Sequence, residues 1–196
     1  NSGEAIVNNV TLIGAPNAGE SWPAYTVNNT GVMSIINSEL TSYHGTIASY
    51  GEGAVVTMTD TDIDMSGIAG FTNHAIYTYN NGAAVVYSGN IANKATDQNN
   101  TGGSVINGAV TIYGGNFNGR VENYYGTPVI YAGTFKHGET NLDVSKYVAA
   151  GCEYKDGVVT APEGYIFTAE QLKTSLQKSG TYTLGVRFVP ANLNIY

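Results

Sequence analysis

Charge is what this sequence has least of. Only 12% of its 196 residues are charged, and 15 acidic against 8 basic side chains give a net charge of -7 and a pI near 4.7. That balance repels a phosphate backbone, so nucleic acid is not expected as a partner. Cysteine is nearly missing: Cys152 stands alone, which excludes an internal disulfide, gives no hint of a zinc site, and reads as a small buried hydrophobe. No apolar run approaches the roughly 18 residues that cross a bilayer as a helix, so membrane insertion is not expected, and no signal peptide is recognisable. The chain opens on Asn1 rather than Met, as a processed mature protein or a fragment would.

What is abundant is a strand-and-turn mixture. There are 25 Gly and 15 Tyr, with many Asn, Thr and Val, and few stretches that would build helices. A ten-residue pattern recurs through it. Gly108 to Phe117 reads Gly-Ala-Val-Thr-Ile-Tyr-Gly-Gly-Asn-Phe, Gly126 to Phe135 reads Gly-Thr-Pro-Val-Ile-Tyr-Ala-Gly-Thr-Phe, and Gly82 to Ile91 reads Gly-Ala-Ala-Val-Val-Tyr-Ser-Gly-Asn-Ile. Earlier versions run from Gly31 to Leu40 and from Ala54 to Ile63.

Strand side chains alternate between two faces, so the repeat sorts itself. Two and four residues after the anchor lie Met33 and Ile35, Val56 and Met58, Ala84 and Val86, Val110 and Ile112, Pro128 and Ile130, all apolar. Nine residues after it come Leu40, Ile63, Ile91, Phe117 and Phe135, a second inward row beyond a short corner. Another short β-like run precedes each anchor, and the anchors are 23, 28, 26 and 18 residues apart. A conserved rung with variable connections is how a solenoid tolerates insertion.

The expected fold is therefore all-β, a right-handed parallel β-helix over residues 1–164, the hand following from the crossover rule. An antiparallel sandwich is the rival, and it explains the repeated register poorly. Ala5 to Ala15 reads as a degraded rung with Val10 and Leu12 pointing inward. Residues 165–196 read as a separate segment: a short helix over Ala169–Lys178, from the Thr168/Gln171 capping pattern, then a strand over Thr181–Val189. This segment is expected either to cap its own coil or to connect to a neighbouring subunit.

The rung Val110–Phe117, with Asp143 to Gly151 downstream and then the Lys155-Asp156-Gly157 hairpin, resembles the pectin-lyase-like β-helix segments of large surface proteins of gut Firmicutes. The likeness spans about residues 80 to 160. It implies an extracellular or cell-surface scaffold and is silent about a ligand.

Three sets of residues are candidates for chemistry. Tyr87, Tyr113 and Tyr131 occupy one outward position on successive coils, a strip that would receive sugar rings or a partner's apolar surface, or would merely stabilise the sheet. Glu39, Asp62 and Asp64 would lie close together on neighbouring strands and offer oxygen ligands for Ca²⁺, or else form a solvated acidic ridge. The exposed sheet edges at the coil ends invite self-association. No catalytic residue is assigned: Arg120 and Arg187 are the only arginines, and the adjacent Asp-Asp, Gly-His-Gly and Arg-x-Lys signatures of polysaccharide-cleaving β-helices are missing. His44, His74 and His137 read as ordinary loop or surface residues. The expectation is a non-enzymatic structural or adhesive module, bacterial or from a bacteriophage spike, that builds filaments head to tail. A glycan-binding module is the alternative, and a polysaccharide lyase or hydrolase comes last.

Overall fold

The computed structural model describes residues 1–14, 25–42, 45–65, 74–93 and 103–167, together with the backbone of Thr183–Leu184. The first coil is β1 (Glu4–Asn8), β2 (Thr11–Ile13) and β3 (Tyr25–Asn29), and the second is β4 (Val32–Ile36), β5 (Glu39–Thr41) and β6 (Gly45–Tyr50). The third is β7 (Val55–Thr59), β8 (Asp62–Met65) and β9 (His74–Tyr79); the fourth is β10 (Ala83–Val86), β11 (Asn90–Asn93) and β12 (Ser104–Asn107). The fifth is β13 (Val110–Ile112), β14 (Asn116–Asn118) and β15 (Arg120–Glu122), and β16 (Val129–Ile130) and β17 (Gly133–His137) begin a sixth.

Strands three apart in sequence pair in parallel, giving wall A (β1, β4, β7, β10, β13, β16), wall B (β2, β5, β8, β11, β14, β17) and wall C (β3, β6, β9, β12, β15). The chain is a parallel β-solenoid, as the repeat predicts, and the inward rows meet along its axis. Ile35, Met58, Val86, Ile112 and Ile130 are fully buried from wall A, and Leu40, Ile63, Ile91, Phe117 and Phe135 from wall B. Wall C adds Ile47, Ile76 and Ile106. The Phe117 and Phe135 rings stack at 4.9 Å, one strand spacing apart.

The corner from wall A to wall B changes character midway. In the first three coils it is made by Asn9, Asn37 and Asp60 with φ of 56°, 47° and 47°, left-handed positions that Asn and Asp tolerate. In the last three the turn passes to Gly89, Gly115 and Gly133, with φ between 111° and 141°. A side chain at Gly89 would run into the Thr61 carbonyl oxygen of the coil below. Buried polar side chains complete the corners: Asn29 donates to the Gly31 and Val55 carbonyls at 2.7 and 3.2 Å, and Thr61 donates to the Ile35 carbonyl at 3.1 Å. The orphaned backbone groups of the turns are thus satisfied inside the solenoid.

Val10 does not point inward as its parity suggests. Asn9 sits in the left-handed region and interrupts the alternation, so Val10 stands 38% exposed while Ala5, Val7 and Leu12 pack on the core. The top of wall B is closed by antiparallel pairing, with β18 (Thr140–Asn141) and β20 (Val158–Thr160) on β17 and β19 (Glu153–Lys155) on β20. Asp156 and Gly157, at φ 48° and 81°, make the tight turn expected there. Val148 bridges Ile130 at the top of wall A, and Cys152 is half-buried against the core. Beyond the solenoid, β21 (Tyr165–Ile166) pairs in parallel with β22 (Thr183–Leu184), which falls in the expected C-terminal strand. The expected helix over Ala169–Lys178 lies outside the described residues.

Candidate functional site

The regular corner delivers the tyrosine column where the repeat places it. Tyr87, Tyr113 and Tyr131 each follow a wall A strand, and their amides donate to the Met58, Val86 and Ile112 carbonyls of the coil below at 2.8 Å. The rings stack, Tyr87 on Tyr113 at 5.3 Å and Tyr113 on Tyr131 at 5.0 Å. They are half-buried, and burial pushes the Tyr87 and Tyr113 phenols above their ordinary pKa, with Tyr131 and Tyr87 adding to the effect on Tyr113. One neighbour was not foreseen. Phe167, 3% exposed, lies 5.0 Å from the Tyr113 ring and 5.7 Å from Tyr131, with Tyr165 beside it. The upper part of the strip is occupied by the chain's own residues 165–167.

Glu39 and Asp62 are register partners on β5 and β8, with Thr41 beside Asp64. Asp62 is engaged: its Oδ1 accepts from the Asn90 amide at 2.7 Å and from Asn90 Nδ2 at 3.0 Å. Asn116 Nδ2 continues the ladder to Asn90 Oδ1 at 2.9 Å. The arrangement is a ladder of side-chain hydrogen bonds climbing the outer face of wall B. A shallow groove of about 270 Å³ runs beside Glu39, Asp60 and Asp62. Among the described residues no group of three or more His, Cys, Asp or Glu side chains is placed to hold a metal ion.

Wall C carries a second aromatic cluster that the repeat did not reveal. Tyr77 stacks against Tyr25 at 5.7 Å, Tyr79 at 4.8 Å and His74 at 5.1 Å, and Tyr125 meets its edge at 5.3 Å. Tyr50 stacks on Tyr79 at 4.9 Å. Small neighbours make this possible: a side chain at Gly45 would collide with the Tyr25 ring. Burial raises the Tyr25 and Tyr77 phenols further than those of the first column, and surrounding tyrosines add to it.

His74 is no surface residue. It is 8% exposed, and burial, helped by the Arg120 guanidinium, pushes its pKa down to about 4. Glu122, with Oε2 3.7 Å from His74 Nδ1, pulls the other way. Its charge is shared with Arg120 Nη1 at 3.6 Å, so desolvation prevails and the imidazole is neutral near pH 7. Asn107 Nδ2 lies 3.4 Å from His74 Nε2, and Asn107 Oδ1 accepts the Tyr124 amide at 3.2 Å.

The comparisons with known proteins are empty. No family model, no curated protein and no solved structure matches this chain. The site must be read from its own geometry. His44 lies outside the described residues. His137 ends β17, in wall B.

Chemically the walls differ. Wall A offers flat rings already partly covered, wall B hydrogen-bonding amides and carboxylates in register, and wall C a dense aromatic patch next to a shared ion pair. Composition signalled the tyrosines, but no spacing rule gathered Tyr25, Tyr50, Tyr77, Tyr79 and Tyr125 into one cluster.

Proposed function

We propose that this chain is a non-enzymatic structural and adhesive solenoid module acting outside the cell, its walls presenting repeated side chains to a surface and its N-terminal end joining a second copy. The supporting observation is the asymmetry of the two ends. At the top, β18–β20 and Val148 cover the last strands of walls B and A, while wall C ends on β15 among the described residues. At the bottom, β1, β2 and β3 are each the outermost strand of their wall among the described residues, and Ala5, Val7 and Leu12 are only partly buried.

Edges of that kind recruit further strands unless covered. The covered top disfavours continuous head-to-tail stacking through wall B. Two N-terminal ends meeting about a two-fold axis would satisfy both edges at once. The low charge, the Gly, Asn, Thr and Tyr content and the likeness to bacterial surface β-helices support a location on the cell surface.

The test is the assembly state of the full chain by sedimentation and negative-stain microscopy, beside Val7→Lys. Val7 points toward the core from the outermost strand, so an ammonium there reaches water in a single copy and is trapped against apolar surface in a pair. Assembly of the parent and its loss in Val7→Lys is the expected result. A parent that stays monomeric at high concentration removes the self-joining reading.

A further inference from the structure

The surface where wall C turns into wall A holds the most exposed aromatic side chains described in this protein. Tyr124 is 80% exposed and Tyr125 58%, although large rings left in water are normally covered or used. The backbone that carries them is tied to the wall. The Tyr124 amide donates to the buried Asn107 side chain at 3.2 Å, and the Tyr125 and Tyr77 rings meet edge to face, 88° between planes. Gly126 follows with φ 158°, where a side chain would press on Ala109, so the chain returns tightly to the wall after presenting the rings. Next to them in sequence, Glu122 and Arg120 face each other at 3.6 Å, 17% and 27% exposed, a donor and an acceptor carrying little net charge between them.

We propose that Tyr124 and Tyr125, with Glu122 and Arg120 at their flank, form a binding site for a neutral polysaccharide, one or more pyranose rings lying on the phenol faces. This deepens the adhesive reading and rests on it. The chemistry selects the ligand class. A pyranose has an apolar C–H face that matches a tyrosine ring and a rim of hydroxyls that both donate and accept, which suits a phenol, a carboxylate and a guanidinium together. A tyrosine has only two side-chain torsions to fix and so loses little conformational entropy on binding, the reason it recurs in recognition surfaces. A polyanionic glycan is disfavoured by the net charge of -7 and by the balanced Arg120–Glu122 pair. A protein partner would seek a pocket for an apolar anchor, whereas these rings stand out from the wall.

The site differs from the wall A column. There the rings face one another and Phe167 fills the strip; here Tyr124 and Tyr125 remain 80% and 58% exposed.

Affinity electrophoresis through gels containing arabinoxylan, galactomannan or mixed-linkage β-glucan tests the site, with polygalacturonate as the anionic polymer. The expected result is retardation by at least one neutral polymer and none by polygalacturonate. The double substitution Tyr124→Ala/Tyr125→Ala should weaken it about a hundredfold, the effect of losing two aromatic anchors, while Tyr87→Ala leaves it unchanged. Both substituted rings are exposed, so an unaltered far-UV spectrum and a melting temperature within about 2–4 °C of the parent's are expected to accompany the loss. Retardation that survives the double substitution overturns the site and leaves an adhesive role through another wall. A parent ignored by every neutral polymer, or held only by polygalacturonate, overturns the neutral-glycan assignment, while the self-joining reading is decided separately by sedimentation.

Discussion

Replacing Phe167 with alanine should free residues 165–167 from the solenoid without unfolding it. Phe167 is 3% exposed and packs on Tyr113 and Tyr131, and truncating a buried phenylalanine costs about 3–5 kcal/mol. At about 1.4 kcal/mol per decade, local opening of this segment becomes roughly two to nearly four orders of magnitude more frequent. Stability in a solenoid is carried by neighbouring coils, and the inward rows of walls A and B do not include Phe167, so the opening stays local. Native-state hydrogen exchange reads it directly. The Ile166 amide on β21 should exchange faster by that factor, while the Tyr131 amide, bonded to the Ile112 carbonyl at 2.8 Å, keeps its protection. Alkaline titration gives a second reading. The Tyr113 phenol is held above its ordinary value chiefly by burial, so uncovering it moves ionisation to lower pH. Unchanged exchange at Ile166 would refute the docking argument. Equal acceleration at Ile166 and Tyr131 would show instead that the segment and the solenoid unfold together.

Gly89→Ala should destabilise by about 3 kcal/mol or more in urea denaturation, because φ is 134° and the added carbon meets the Thr61 carbonyl. Asn37→Gly, at φ 47° in the other type of corner, should change stability by less than about 1 kcal/mol; equal costs would contradict the switch in corner chemistry. His74→Phe tests the buried imidazole. The folded pKa of about 4 lies below the 6.5 of a solvated histidine, so His74 supports folding in full above pH 6.5 and loses that support as pH falls toward 4, by about 3 kcal/mol at 1.36 kcal/mol per pKa unit. The parent's stability should therefore fall more steeply between pH 6.5 and 4 than that of His74→Phe, and parallel curves would exclude a neutral buried His74.

Wall A and wall B were legible in the sequence because the corner between them keeps a constant length. Ile112 and Phe117 stand five residues apart, as do Met58 and Ile63 and as do Ile130 and Phe135, and every one of them is buried. Wall C was not legible in the same way. From its strands to those of wall A the chain passes through 2, 4, 3, 2 and 6 residues in successive coils. Tyr50 and Tyr79 are register partners, yet Tyr50 stands four residues before its anchor and Tyr79 three. An alignment fixed on wall A scatters the wall C column. His74 was misread for a related reason: nothing local marks it as buried, and it is the Glu122–Arg120 pair and Asn107, from β15 and β12, that surround it. Val10 failed through one backbone angle, the left-handed Asn9.

The same division explains where recognition can reside. A residue repeated in register is surrounded by copies of itself, so its best contacts are those copies: Tyr113 spends both ring faces on neighbouring tyrosines and Phe167, and Asn90 spends its amide on Asp62 and Asn116. Regularity builds the wall and uses up the side chains that build it. Exposed chemistry is left where the register breaks. The six-residue connection after β15, the longest of the connections from wall C to wall A, is the one that leaves Tyr124 and Tyr125 in water. If those rings were only another stabilising ladder, their removal would lower the melting temperature as loss of Tyr113 should. Removal of Tyr124 and Tyr125 should instead leave the melting temperature within about 2–4 °C, two surface substitutions being worth at most about 0.5 kcal/mol each in a chain of this size, and weaken polymer binding about a hundredfold.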